Sequence, residues 1–169
     1  MKILRTPDEC FDNLEDYPFE PNYIDIEHND KTLRMHFLDE NSESEEIVLL
    51  MHGEPTWSYL YRKIIPILVS NGKRVIAPDL IGFGKSDKPA SREDYSYANH
   101  IMWVETLIKK LDLKNIIFFA QDWGGLIGLR LLAKYPDLYD GLVVSNSGLP
   151  VGSGATEGFM QWLDFSQNV

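Results

Sequence analysis

Residues 116–125 read Ile116-Ile117-Phe118-Phe119-Ala120-Gln121-Asp122-Trp123-Gly124-Gly125 and run directly into a helical pattern over 126–133. A run of β-branched and aromatic residues, then a polar residue, then glycines opening a helix, describes a strand that turns sharply and leaves one side chain at the carboxyl end of a sheet. That side chain is Asp122. In the serine form of this elbow the pattern is Gly-x-Ser-x-Gly. Here Ala120 and Gly124 flank an acid, so the backbone can approach closely while a carboxylate replaces the hydroxyl.

Working outward, Ile47–Met51 is a continuous apolar strand, the mark of burial on both faces of a sheet. His52-Gly53-Glu54-Pro55-Thr56-Trp57 follows it, and residues 58–70 then form an amphipathic helical segment stopped by Asn71-Gly72. Residues 75–77 make the next buried strand, 78–89 a glycine-punctuated loop, and 97–111 a helix with apolar residues at 101, 104, 107, 108 and 111. Residues 23–27 and 33–39 alternate apolar and polar around His28-Asn29-Asp30, which predicts an antiparallel hairpin. Residues 41–46 are a charged loop. The first 22 residues, rich in Pro, Asp and Glu, predict an irregular arm anchored by Tyr17, Phe19 and Tyr23. Residues 141–145, beyond the elbow's helix, form one more apolar strand. Strands alternating with helices predict an α/β fold: a mostly parallel, doubly wound sheet joined by right-handed crossovers, with its ligand site beyond the carboxyl ends of the strands.

A chain of 169 residues with 44 % apolar residues fits one domain with a packed core. Its formal charge of −10 argues against nucleic acid or an anionic membrane as partner, since those need clustered Lys and Arg. No run approaches the roughly 18 apolar residues of a membrane span, and residues 1–17 lack the apolar centre of a signal peptide. Cys10 is the single cysteine, which excludes an intramolecular disulfide and a thiolate cluster. A reducing, cytoplasmic setting is the expectation. The four histidines, at 28, 36, 52 and 100, lack metal-ligand spacing, so no metal is expected.

Asp122 is the sharpest candidate for chemistry. A carboxylate at an elbow, beside a helix amino terminus that favours negative charge, stays ionised and exposed, which suits an oxygen nucleophile forming an ester. The plainer alternative is an aspartate that caps the helix. Trp123 carries an indole N–H, a donor only, which beside a nucleophile can hold a departing anion or simply pack. The backbone N–H groups of Glu54 and Trp123 are the candidates for an oxyanion hole, built from the first strand-to-helix loop and the residue after the nucleophile. His52 shapes that loop rather than acting as base, because in this elbow the base comes last in chain order. His100 is expected to be structural or solvent-exposed, and Asp79 to hold its own loop through local backbone hydrogen bonds. No histidine follows Asp122.

Three stretches carry a family resemblance: His52-Gly53-Glu54-Pro55-Thr56-Trp57-Ser58-Tyr59-Leu60-Tyr61-Arg62-Lys63, the run from Arg74 to Pro89, and Gln121-Asp122-Trp123-Gly124-Gly125. With the arm around Arg5-Thr6-Pro7-Asp8, they make the chain resemble the haloalkane dehalogenases of the α/β-hydrolase superfamily, in the subgroup with Glu in the first loop. The resemblance implies that Asp122 displaces halide from a saturated carbon to leave an alkyl ester, and that Trp123 binds the leaving halide. The Glu54 and Trp123 amides then stabilise the oxyanion when water attacks the ester. A haloalkane and a halide ion are the implied partners, no cofactor is implied, and the complete enzyme is expected to be a monomer. Residues 1–150 are expected to form the amino-terminal part of the hydrolase core, ending after its sixth strand, and 151–169 the start of a cap that contains Trp162. The family's second halide donor in this subgroup is a cap tryptophan, and its histidine base and acid come after the cap. Asn146 stands where other subgroups place a catalytic Glu. The expectation is therefore an amino-terminal portion whose ester persists for want of a base, with residues 142–144 as an exposed apolar edge. Two alternatives stand beside it: an epoxide hydrolase, which also sets Trp after an elbow Asp, and a non-catalytic binding protein on an incomplete hydrolase core.

Overall fold

The computed structural model describes residues 1–149 and 154–168. The expected boundary between core and cap, at 150/151, lies outside the described residues. Six strands form the main sheet: β2 (Asn22–His28), β3 (Lys31–Glu40), β4 (Ile47–Met51), β5 (Arg74–Pro78), β7 (Ile116–Gln121) and β8 (Tyr139–Ser145). Their order is β2-β3-β5-β4-β7-β8. The β2–β3 hairpin and the β3–β5 pair are antiparallel, whereas β4 pairs in parallel with β5 and β7, and β7 with β8. This is the mostly parallel sheet that the strand and helix spacing predicts.

All five residues of β4 are buried because the strand is central and covered on both faces. Leu49 and Met51 face the core formed with α2 (Tyr97–Lys110) and α3 (Asp122–Lys134), which contribute Trp103, Leu107, Ile127 and Leu131. Val48 and Leu50 face the opposite core, with Tyr61 and with Ile65 of α1 (Ile65–Ser70). The period-2 alternation of a strand thus supplies two cores at once. Burying each such aliphatic side chain contributes about 1.5–3 kcal/mol. Gly128 on α3 makes room for Phe118, since a Cβ there would overlap the edge of the phenyl ring.

Three local expectations change. Residues 58–70 form a 3-10 turn at Ser58–Tyr61 and then a six-residue α1, because Pro66 has no N–H to give a continuing helix and is tolerated only in a first turn. The arm is not wholly irregular. β1 (Ile3–Leu4) pairs with β6 (Lys88–Pro89), and Arg5 forms a bidentate ion pair with the buried Asp87 at 2.7 and 2.9 Å. Two-residue pairing of this kind leaves no periodic trace in sequence. The elbow helix begins at Asp122 itself rather than at 126, since Trp123, Gly124 and Gly125 adopt helical backbone without supplying the apolar spacing that marks a helix.

Leu142, Val143 and Val144 on the β8 edge are 44, 49 and 42 % exposed. Helix α4 (Glu157–Gln167) is capped by Thr156 and exposes Phe159, Met160, Trp162 and Phe165. Trp162 lies 5.8 Å from the Phe159 ring and is not among the residues that line the cavity described below.

Candidate active site

Parallel pairing of β4 with β7 places Met51 opposite Ala120, so the next residues of the two chains, 52–54 and 121–123, emerge side by side at the carboxyl edge of the sheet. The Glu54 N–H donates to Asp122 Oδ1 at 2.9 Å across 68 positions of sequence. Asp122 has φ +50, a left-handed conformation that costs a non-glycine residue roughly 1–3 kcal/mol and that recurs where function demands it.

Glycines let this turn sit against its neighbours. A Cβ on Gly53 would overlap the Asp122 carboxylate, one on Gly124 would overlap the Met51 carbonyl, and one on Gly125 would overlap the Ser147 side chain. The Ser147 hydroxyl donates to the Asp122 carbonyl at 2.8 Å. Trp123 is the second residue of α3, so its N–H is one of the helix amides that no intrahelical carbonyl takes. The Glu54 amide on Oδ1 and the amino terminus of α3, with its untaken Trp123 amide, favour the negative charge of the Asp122 carboxylate.

Trp123 is 37 % exposed, with its ring 6.5 Å from that of Tyr97. It borders a cavity of about 440 Å³ together with Glu54, Phe83, Tyr95, Tyr97 and His100. His100 is therefore a wall of this cavity rather than a solvent-exposed residue. Its ring packs edge-on to Trp103 at 4.9 Å, its Nδ1 is buried without a partner, and burial pushes its pKa down to about 4. An imidazole so placed is neutral at ordinary pH.

His52 is fully buried. Its Nε2 accepts from the Leu80 N–H at 2.9 Å, and its Nδ1 lies 2.9 Å from the Gly53 carbonyl. Burial lowers its pKa below the usual value. Both ring nitrogens are engaged by backbone, which leaves neither for proton transfer. Asp79 does hold its own loop through the Lys85 N–H at 2.8 Å, yet it also reaches farther. It accepts from the Ser58 N–H at 2.8 Å and from His36 Nδ1 at 2.8 Å, with all three residues buried. Burial alone would raise the pKa of Asp79, and these donors, His36 foremost, outweigh it and lower it. Asn146 follows β8 directly, with φ +49.

Sequence reasoning finds Asp122, Trp123, Glu54 and His52 from motif and position. It does not find Ser147, Thr56, Ser58 or the His36–Asp79 pair. Only the absence of a side chain at Gly125 hints that something lies close there. Among the described residues, no group of three or more His, Cys, Asp or Glu is arranged to hold a metal ion, and no helix is long and apolar enough to cross a membrane.

An acidic elbow after a buried parallel strand, faced by an amide from the neighbouring strand's loop, is the arrangement of one large enzyme fold. Residues 46–168 match the family model for the alpha/beta hydrolase fold, and the chain belongs to that family. Within it, the chain is similar to a haloalkane dehalogenase of Psychrobacter cryohalolentis, with 55 % identity over the whole of this chain and 56 % of that protein. Among solved structures, the tetrameric haloalkane dehalogenase DpaA from Paraglaciecola agarilytica NO2 aligns with a TM-score of 0.92 and 44 % identity, covering all of this chain and 57 % of that one. A mutant epoxide hydrolase from Vigna radiata is more distant, with a TM-score of 0.66 and 31 % identity over 77 % of this chain and 40 % of that one. The chain thus spans a little over half the length of these dehalogenases.

Proposed function

We propose that these residues carry the carbon–halogen cleaving half of a haloalkane dehalogenase site. Asp122 is the nucleophile. Its Oδ1 is held by the Glu54 amide, which leaves Oδ2 to attack a halogen-bearing carbon from the side opposite the halide. The new C–O bond forms as the C–halogen bond breaks, the electron pair leaves with the halide, and an alkyl ester remains on Asp122. Trp123 receives the halide through its indole N–H, where a donor meets the charge that develops on the leaving group. The Glu54 and Trp123 amides would then stabilise the oxyanion of ester hydrolysis. His52 and His100 are not the base for that step: the first is engaged by backbone on both nitrogens, and the second is a low-pKa wall residue. No residue from 123 to 169 is a histidine, so an ester formed by residues 1–169 alone lacks an imidazole base and persists.

The observation that carries this reading is the 2.9 Å bond from the Glu54 amide to the carboxylate of a residue held at φ +50. The similarity to haloalkane dehalogenases over the full chain supports it, and the greater distance of the epoxide hydrolase weighs against an epoxide substrate. Intact-mass spectrometry after incubation with 1-bromobutane tests it. One butyl adduct per chain, located on Asp122 with stoichiometric bromide release and absent from Asp122→Asn, is expected. Adduct formation with styrene oxide but not with bromoalkanes would transfer the site to the epoxide reading. The expected setting is cytoplasmic, argued from the single cysteine. The tetramer of the Paraglaciecola relative makes sedimentation a direct check on the expected monomer.

A further inference from the structure

The loop between β4 and the 3-10 turn at Ser58–Tyr61 carries the Glu54 amide and is hydrogen-bonded at both ends and at the Gly53 carbonyl. We infer that His52, Thr56 and Asp79 act together as a positioning device that sets the direction of the Glu54 N–H toward Asp122 Oδ1. This rests on the reading of Asp122 as the reacting carboxylate.

The argument starts from one peptide unit. The Gly53 carbonyl and the Glu54 N–H belong to the same planar peptide and point in opposite directions, so whatever holds the carbonyl also aims the amide. Three donors converge on the Gly53 oxygen: the Thr56 hydroxyl at 2.9 Å, the Thr56 N–H at 3.0 Å and His52 Nδ1 at 2.9 Å. Two of them are side chains. A carbonyl so engaged is polarised, and polarisation strengthens the N–H of its own peptide as a donor.

The His52 tautomer follows from its other nitrogen. The Leu80 N–H can only donate, so Nε2 carries no proton and Nδ1 carries the one that goes to Gly53. The ring is completely buried, which keeps it in this neutral form. A protonated ring would set an N–H against the Leu80 N–H.

The far end of the loop is tied to the same place. Ser58 N–H donates to Asp79 Oδ1, and the carboxylate is fixed in turn by His36 Nδ1 and the Lys85 N–H on Oδ2. Consecutive residues 79 and 80 therefore hold both ends of residues 52–58, while Thr56 and His52 hold the peptide between them. Gly84 permits this, because a Cβ there would overlap the Asp79 carboxylate. Ser58 is reached from outside too, its hydroxyl lying 2.6 Å from that of Tyr17 on the arm.

The roles of Thr56 separate cleanly in two variants. Thr56→Val keeps the shape and the backbone N–H but removes the hydroxyl; Thr56→Ser returns it. Hydrogen exchange followed by NMR on the 169-residue chain reads the Glu54 amide directly. Exchange about tenfold faster at Glu54 in Thr56→Val, with unchanged amides in β4 and β7 and recovery in Thr56→Ser, is the expected result. The first-order rate of Asp122 alkylation should fall alongside, with the bromobutane concentration for half-maximal rate unchanged. Unaltered exchange at Glu54, or a uniform rise across the sheet that Thr56→Ser fails to reverse, would overturn the inference. Nitrogen-15 imidazole spectra of the unsubstituted chain give an independent reading that no misfolded variant can obscure: a protonated Nε2 at His52 would also overturn it. Absence of any alkylation would count against the dehalogenase reading alone, because amide exchange and ring tautomer do not depend on chemistry at Asp122.

Discussion

The hydroxyl of Ser147 donates to the main-chain carbonyl of Asp122 at 2.8 Å, joining the loop after β8 to the first residue of α3. The carbonyl it holds belongs to the one residue of the elbow with a left-handed backbone, so the bond restrains a strained peptide directly. Ser147→Ala should lower stability by about 1 kcal/mol, the usual net worth of such a bond. Alkylation at Asp122 should slow as the carboxylate loses its fixed direction. Urea denaturation and timed intact-mass spectra measure the two effects on the same samples. Gly125→Ala should be worse on both counts, because its methyl lands on the Ser147 side chain.

Gly53→Ala tests the opposite wall. The added methyl overlaps the Asp122 carboxylate and must displace it from the Glu54 amide. A loss of about 10²-fold in adduct formation is expected, the scale of removing one oxyanion donor. Circular dichroism should remain that of the parent, since the clash falls on a side chain at the sheet's edge and not on the core.

Glu105 predicts a pH dependence. Burial tends to raise its pKa, but hydrogen bonds from Lys109, Lys134 and the Tyr135 hydroxyl overcome this and hold it at about 2, against an ordinary 4.5. A carboxylate depressed by folding contributes stability that is complete above its unfolded pKa and is lost as pH falls through the folded one. Urea midpoints should therefore drop between pH 4.5 and 2. In Glu105→Gln this part of the slope should vanish, and the gap between variant and parent should close toward pH 2.

His100 gives a second window. Its folded pKa of about 4 lies below the usual 6.5, so the unfolded chain takes up a proton that the folded chain refuses. The associated stability is complete above pH 6.5 and is lost progressively down to about 4. His100→Phe should flatten the midpoint curve in that interval, and the Cε1 proton of His100 should titrate near 4 by NMR.

The β8 edge should govern solubility. Leu142, Val143 and Val144 present an apolar strand with one unpaired side, the usual template for edge-to-edge association. Val143→Lys should reduce concentration-dependent light scattering without altering the rate of Asp122 alkylation.

Much of the architecture is legible in the residues because it rests on short-range periodicity. The all-apolar run Ile47–Met51, five residues long and followed by His52-Gly53, reads as a strand covered on both faces, and the spacing of Val104, Leu107 and Ile108 reads as the buried stripe of a helix. The 3-10 turn and short α1 were less legible, since the apolar pattern of residues 58–70 runs through Pro66 and only the missing N–H breaks it. The strand β1 is too short to carry a period at all.

For the site, the identity of Asp122 as the acid at the turn was local information: a strand ends, glycines follow, and one polar side chain is left there, half-buried in the structure. Apart from the Glu54 loop and Trp123, which the elbow motif names, what surrounds it was not. Glu54 meets Asp122 across 68 positions, His36 meets Asp79 across 43, and Ser147 meets Asp122 across 25. By itself, the sequence determined the six strands of the main sheet, the helices α2 and α3 and the residue at the elbow, because each depends on side chains within a few positions of one another. The tertiary structure alone decided that Ser147 and the His36–Asp79 pair would brace the elbow and the loop that faces it. Hydrogen bonds between residues distant in sequence depend on strand register and on the paths of loops, and single polar residues in loops carry no period from which such meetings can be read.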